Sequence, residues 1–238
     1  MLKEALQYLV SLKDNKIYEI NGDTYSDREL HRIDLHVDRP SQIEVNGLDS
    51  IVKLVRAELD MEDSQPIFIR ICGPREVNVF SCLDDTMGRD HLYRAICDAP
   101  KWSPGWNDQE TTIIQLRSMF ISDGDVDYLL DLISSISKED GVQSDDNGVS
   151  QAVTARTGVA LKQIVPVKPR VILRPFRTFM EVEQPESEFI LRLNNGAQVG
   201  LLEADGGAWK MRAKENIRSY FESQLAEEIG AGKVVVMM

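Results

Sequence analysis

Two strand-type runs, 188–193 and 198–203, flank Asn194-Asn195-Gly196, the clearest hairpin in the chain. Asn-Gly accepts the left-handed turn conformations that match the twist of two antiparallel strands, so this segment commits the chain to an antiparallel sheet. Asn21-Gly22 sends the same signal after the strand-like 16–20. The runs 66–72 and 77–82, separated by Gly73-Pro74, predict another hairpin. So do 149–155 and 159–164 around Arg156-Thr157-Gly158. The run 170–176 has prolines close by, which suits an edge strand. Ile33, Leu35 and Val37 alternate, as do Ile43 and Val45, whereas 91–97 fits a strand or a helix equally well.

Helical periodicity recurs between these runs. It covers 2–12 (Leu2, Leu6, Leu9, Val10) and 48–61 (Ile51, Val52, Val55, Leu59 inward). Asp108 is placed to cap a helix reaching about 121, with Ile113, Leu116 and Phe120 inward. After Ser122-Asp123-Gly124 a second helix over 126–137 completes a helical hairpin, with Leu129, Leu130, Ile133 and Ile136 inward. Asp205-Gly206-Gly207 opens a last helix over 208–229, striped by Trp209, Ala213, Ile217, Tyr220, Phe221 and Leu225. Helices segregated from antiparallel hairpins, without regular βαβ alternation, define an α+β fold. The expected layout is an N-terminal mixed α/β lobe (1–105), a central helical hairpin with an acidic loop (106–146), and antiparallel β hairpins with the C-terminal helix packed on them (147–238), either as lobes or as one continuous domain. The first boundary falls in the 100–107 stretch. There two prolines and a glycine break regular structure, and Trp102 and Trp106 need apolar partners.

Composition narrows the class. A chain of 238 residues, 42% hydrophobic and 28% charged, buries a core without staples. No apolar run nears the roughly 20 residues of a membrane helix, and the amphipathic start shows no secretory signal. Cys72, Cys82 and Cys97 are odd in number and lack CxxC spacing, so neither a disulfide framework nor a structural zinc site is expected. Reduced, partly buried cysteines fit the cytoplasm.

Charge is the most directional feature. Arg156, Lys162, Lys168, Arg170, Arg174 and Arg177 follow one another without an acid among them, in a chain of net charge −12. The 122–146 stretch is the converse, with eight acids against Lys138 alone. A block of this kind meets its own acids, another copy, or an external anion.

One resemblance emerges from element order. Trp102-Ser-Pro-Gly-Trp106-Asn-Asp108-Gln109 leads into a helix. An acidic second helix, Asn147-Gly148 and Phe176-Arg177-Thr178-Phe179 follow. The strand Phe189-Ile-Leu-Arg-Leu193, the Asn-Gly turn, a second strand and a closing helix complete the order. From about residue 35 to 229 this resembles an uncharacterised phage and prophage family, the domain-of-unknown-function family 2303. The loop after 138 and the 156–168 region do not map onto it. The resemblance implies a phage or prophage origin and a cytoplasmic location in the host, and no activity.

Other chemistry is weakly supported. Asp123, Asp125 and Asp127 alternate as in a calcium loop, but Tyr128 and Ser134 stand where glycine and a carboxylate are required, so the acids are expected to favour the helix start. His31, His36 and His91 have no metal-ligand spacing, and no nucleophile elbow is present. Gly230-Ala-Gly-Lys233 lacks the rest of a phosphate loop and reads as a helix end before an apolar tail, 234–236, able to add a strand to its own sheet or a neighbour's. Glu181, Glu183, Glu186 and Glu188 are expected to solvate an edge. No catalytic residue, metal or cofactor is nominated. The expected function is a non-enzymatic, self-assembling accessory protein that binds through the 156–177 block as a homo-oligomer. The alternatives are an anion-binding module for a nucleotide or single-stranded nucleic acid in phage recombination or counter-defence, a host-protein binder, and an enzyme whose site the sequence hides.

Overall fold

The computed structural model describes residues 3, 6, 8, 17–20, 23–26, 39–61, 64–84, 87–136, 151–157, 161–194 and 198–238, with the side chains of 20, 23–25, 153–157 and 161–165 outside that description. The chain forms two compact units, Met1–Arg39 and Pro40–Met238. In the first, strands β1 (Ile17–Ile20) and β2 (Asp23–Ser26) pair antiparallel across the Asn21-Gly22 turn signal, and Lys3, Leu6 and Tyr8 are helical. The alternation at 33–37, His31 and His36 lie outside the described residues, as does the acidic loop after 138.

The second unit holds two larger sheets. The first is mixed, with order β13-β4-β5-β6-β3. Its strands are β3 (Ile43–Val45), β4 (Ile67–Gly73), β5 (Glu76–Phe80), β6 (His91–Ile96) and β13 (Val234–Met237). The ambiguous 91–97 run is therefore a strand. Alternate residues Ile67, Ile69, Ile71, Val77, Val79, Tyr93, Ala95 and Val234 are buried on one face. That face receives helix α1 (Leu48–Leu59), through Ile51, Val52 and Val55, and helix α4 (Trp209–Gln224), through Ala213, Ile217 and Phe221. Each such Val, Ile or Phe side chain stabilises the fold by about 1.5–3 kcal/mol on burial. The opposite face, carrying Phe68, Arg70, Asn78 and Arg94, has no helix packed on it among the described residues.

The second sheet is antiparallel, with order β10-β11-β12-β7. It comprises β7 (Gly105–Asn107), β10 (Arg170–Leu173), β11 (Ser187–Leu193) and β12 (Val199–Glu203), with the Asn-Gly hairpin at its centre. Its inner residues Val171, Leu173, Phe189, Leu191 and Leu201 pack on the hairpin of α2 (Gln109–Met119) and α3 (Gly124–Ser135). Asp108 caps α2 by accepting from the Thr111 N–H at 3.0 Å, as its position predicts. Trp102 stands edge-on to Phe120 and Phe189, with centroids 5.7 and 5.3 Å away.

Three expectations shift. The 100–107 stretch contains strand β7, and Trp106 is 47% exposed, its ring lying over Gly200 on β12. A Cβ on Gly200 would meet that ring at 3.2 Å, so glycine lets the indole lie flat on the sheet. Arg156 and Thr157 belong to strand β8 (Gln151–Thr157), opposite Lys162 and Leu161 of β9 (Leu161–Val167), and so lie within the strand and not between strands. The last helix breaks at Leu225 into α4 and α5 (Ala226–Gly230), and it covers the mixed sheet, while α2 and α3 back the antiparallel one. The reason is the tail. β13 pairs parallel with β4, which draws the preceding helices onto that sheet. Gly232, at φ +72°, makes the turn from α5 into β13.

The connection from β10 to β11 joins the two halves. Phe179, 1% exposed, enters the core of the mixed sheet, and Thr178 Oγ1 donates to the Pro74 carbonyl at 2.6 Å. Buried Gln184 accepts from the Arg177 and Thr178 N–H groups and donates to the Thr178 and Phe179 carbonyls. Glu181 caps α1 from 133 positions away, accepting from the Leu48 N–H at 2.7 Å. The residue at the cap position is Gly47, which has no side chain to do so, and a Cβ there would stand 2.6 Å from Glu181 Oε1. Glu181→Ala is expected to cost about 0.5–1 kcal/mol, the lower part of the capping range because the group is exposed. Gly47→Ala should cost a similar amount by displacing the same carboxylate, and the double variant little more than either. Urea titrations check this, and full additivity would mean that the two residues act separately.

Candidate functional site

The described side chains of the basic block fall into separate ion pairs. Arg156 and Lys162 face each other in the β8–β9 register, and their side chains lie outside the described residues. Lys168 Nζ sits 3.2 Å from Asp125 and over the Tyr128 ring. Arg170 meets Glu188 at 3.0 Å. Arg174 lies 3.5 Å from Asp123 and 3.6 Å from Glu186. The acids come from the start of α3 and from the 181–188 cluster of the same chain. Such exposed pairs contribute about 0–1 kcal/mol each. They nonetheless leave these three cations matched rather than presented together on one outward face.

Asp123 and Asp125 act beyond their own helix. Asp125 Oδ2 accepts from the Ile172 N–H at 2.7 Å, and the Tyr128 hydroxyl accepts from the Lys168 N–H at 2.9 Å. The start of α3 thus satisfies one donor of β10 and one just before it. The neighbouring segment is held as well, by Ile121 N–H to the Arg174 carbonyl and Phe176 N–H to the Met119 carbonyl.

Arg177 is the exception in the block, being 6% exposed. It donates to Glu203 at 2.8 Å, to the Pro185 carbonyl and to Ser187 Oγ, and its guanidinium stacks 4.0 Å from the Trp209 ring centroid. Its Nε and the Trp209 indole N–H are buried without a hydrogen-bond partner among the described residues. Burial lowers the guanidinium pKa to about 10 against the opposing pull of Glu203 and Asp205, so it remains charged at neutral pH. Ser187 Oγ donates to Asp205 at 2.6 Å, and Asp205 also accepts from the Gly207 and Trp209 N–H groups at the start of α4. Burial alone would raise the Asp205 carboxyl, but these hydrogen bonds and Arg177 hold it below its ordinary value. Beside this node is a cleft of about 450 Å³ lined by Ile172, Pro185, Ser187, Asp205, Trp209 and Arg212, among others. Two carboxylates at the cleft, Glu186 and Glu188, are those paired with Arg174 and Arg170. The Ser187 hydroxyl is spent on the Asp205 carboxylate at the start of α4. The arrangement orients the β10–β11 connection against α4.

Ser187, Glu203 and Gln184 are polar residues that sequence reading missed, and Glu181, expected to solvate an edge, is instead the cap of α1. The only local signal was the Phe176-Arg177-Thr178-Phe179 segment, whose members prove to be the buried joint. Cys72 is exposed, Cys82 half-buried and Cys97 buried, and all three are free. His91 stacks edge-on to Phe80 at 4.8 Å. Among the described residues no helix is long and apolar enough to cross a membrane.

The two sheets define the class as an α+β protein in which each sheet has one helix-covered face. Comparison with protein-family models, with curated proteins and with solved structures returned no match. The resemblance to the phage family therefore rests on the residues quoted for it.

Proposed function

We propose that this chain is a non-enzymatic phage or prophage accessory protein that acts in the host cytoplasm by binding and assembles with copies of itself. The observation that carries the reading is the uncovered apolar surface of the sheets. Trp106, Ile172 and Leu202 stand 47%, 53% and 38% exposed on the antiparallel sheet, and Val235 and Met237 stand 40% and 39% exposed on the mixed one. Apolar side chains gathered on sheet faces mark surfaces that gain by being covered. The ion pairing within the 156–177 block supports a contact led by apolar groups over one led by charge. It also gives less support to a nucleotide or single-stranded nucleic acid ligand, since Lys168, Arg170, Arg174 and Arg177 each have an acid of their own.

Light scattering on the purified protein, with the 260/280 nm absorbance ratio read on the same peak, tests this. The expected result is a native mass that is a multiple of 26.9 kDa with a protein-only ratio. A species of 26.9 kDa at about 100 µM, a concentration that populates even micromolar assemblies, would overturn self-assembly. A raised ratio would transfer support to the nucleic-acid alternative.

A further inference from the structure

A sheet edge is a row of unpaired N–H and C=O groups, and proteins blunt it with charge, proline, shortness or a covering element. Three of the four edges of the two large sheets are blunted in these ways. β3 is three residues long and carries Glu44. β7 is three residues long and follows Pro104. β10 lies between Pro169 and Pro175, bears Arg170, and has its Ile172 N–H taken by Asp125.

The fourth edge is different. β13 reads Val234-Val235-Val236-Met237, with Met238 next, and has neither charge nor proline. It pairs on one side with β4, and among the described residues no strand pairs with its other side. The Lys233 carbonyl accepts from the Ile67 N–H at 2.9 Å. Bonding residues alternate along a parallel ladder, so Val234 and Val236 turn their N–H and C=O groups away from β4.

We infer that β13 is the assembly strand and that it pairs antiparallel with β13 of a second copy about a twofold axis through Val236. This rests on the self-assembly reading above and names its interface. The strand is complementary to itself. In that register Val236 faces Val236 of the second copy, and Val235 faces Met237 of the second copy, so no charge opposes a charge. Two copies of net charge −12 repel, and an uncharged strip is where they approach at least cost. The pairing joins two five-stranded sheets into one and merges the exposed Val235 and Met237 of each copy into one apolar patch.

Val236→Pro tests it. Proline removes an outward N–H while leaving the β4 ladder intact, so the variant should fold as the wild type does by circular dichroism and run at 26.9 kDa, where the wild type runs at twice that mass. Val235→Lys, at a position already 40% exposed, provides a second variant without a backbone change and should weaken dimerisation about tenfold or more. Raising salt from about 0.05 to about 0.5 M should leave the wild-type dimer unchanged or tighter, because it screens the repulsion between acidic copies. A wild-type monomer overturns the self-assembly reading and this interface together. A wild-type dimer that persists at full strength in folded Val236→Pro or Val235→Lys overturns the interface alone, as does a dimer that weakens tenfold with salt.

Discussion

Phe179→Ala is expected to lower the free energy of unfolding by about 3–5 kcal/mol, the range for emptying a phenylalanine site in a packed core. Phe179 is 1% exposed and belongs to the core of the mixed sheet, although it lies in the loop between two strands of the antiparallel sheet. Its removal therefore opens a cavity and loosens the tie between the halves. Urea unfolding followed by tryptophan fluorescence and by far-ultraviolet circular dichroism separates the two effects. The expected curves share a lowered midpoint, and an early phase confined to one probe would show that the tie alone has gone. A loss below about 1 kcal/mol would mean that Phe179 does not anchor the joint.

Arg177→Met should cost about 3 kcal/mol. Removing one member of a buried ion pair costs about 3–5 kcal/mol because the other charge is left without its partner. Here the lower end applies, since the Glu203 side chain is 29% exposed and can take up water. Methionine keeps much of the packing on Trp209 but none of the donors to Glu203, Pro185 and Ser187. Arg177→Lys keeps the charge and loses the planar fork, so it should recover less than half of the loss. The midpoints of chemical denaturation of the three proteins decide this. Lysine matching arginine would mean that charge alone matters at the node.

The hairpins and helix periods were legible because their determinants are local. Asn194-Asn195-Gly196, Gly73-Pro74 and the Asp108 cap each act within a few residues. The placement of the last helix was not, because it follows from the parallel pairing of β13 with β4, a contact between opposite ends of the second unit. The tail itself was readable as a strand seeking a sheet, and what remained hidden was which sheet. The basic block was visible as charge, but its meaning depended on Asp123, Asp125, Glu186 and Glu188, which only the fold brings to Lys168, Arg170 and Arg174. Arg177 resembled its neighbours in sequence, and its burial is set by Trp209 and Glu203, more than twenty residues further on.

The carboxylate that caps α1 has a temporal consequence. Ribosomes add about 5–20 residues per second, so Glu181 emerges on the order of ten seconds after Leu48. During synthesis α1 waits with its first amides open to water, beside hairpin β4–β5, whose outer partner is made later still. The nascent chain carries an unfinished mixed sheet through most of its elongation, and chaperones that shield apolar strands have their longest opportunity there.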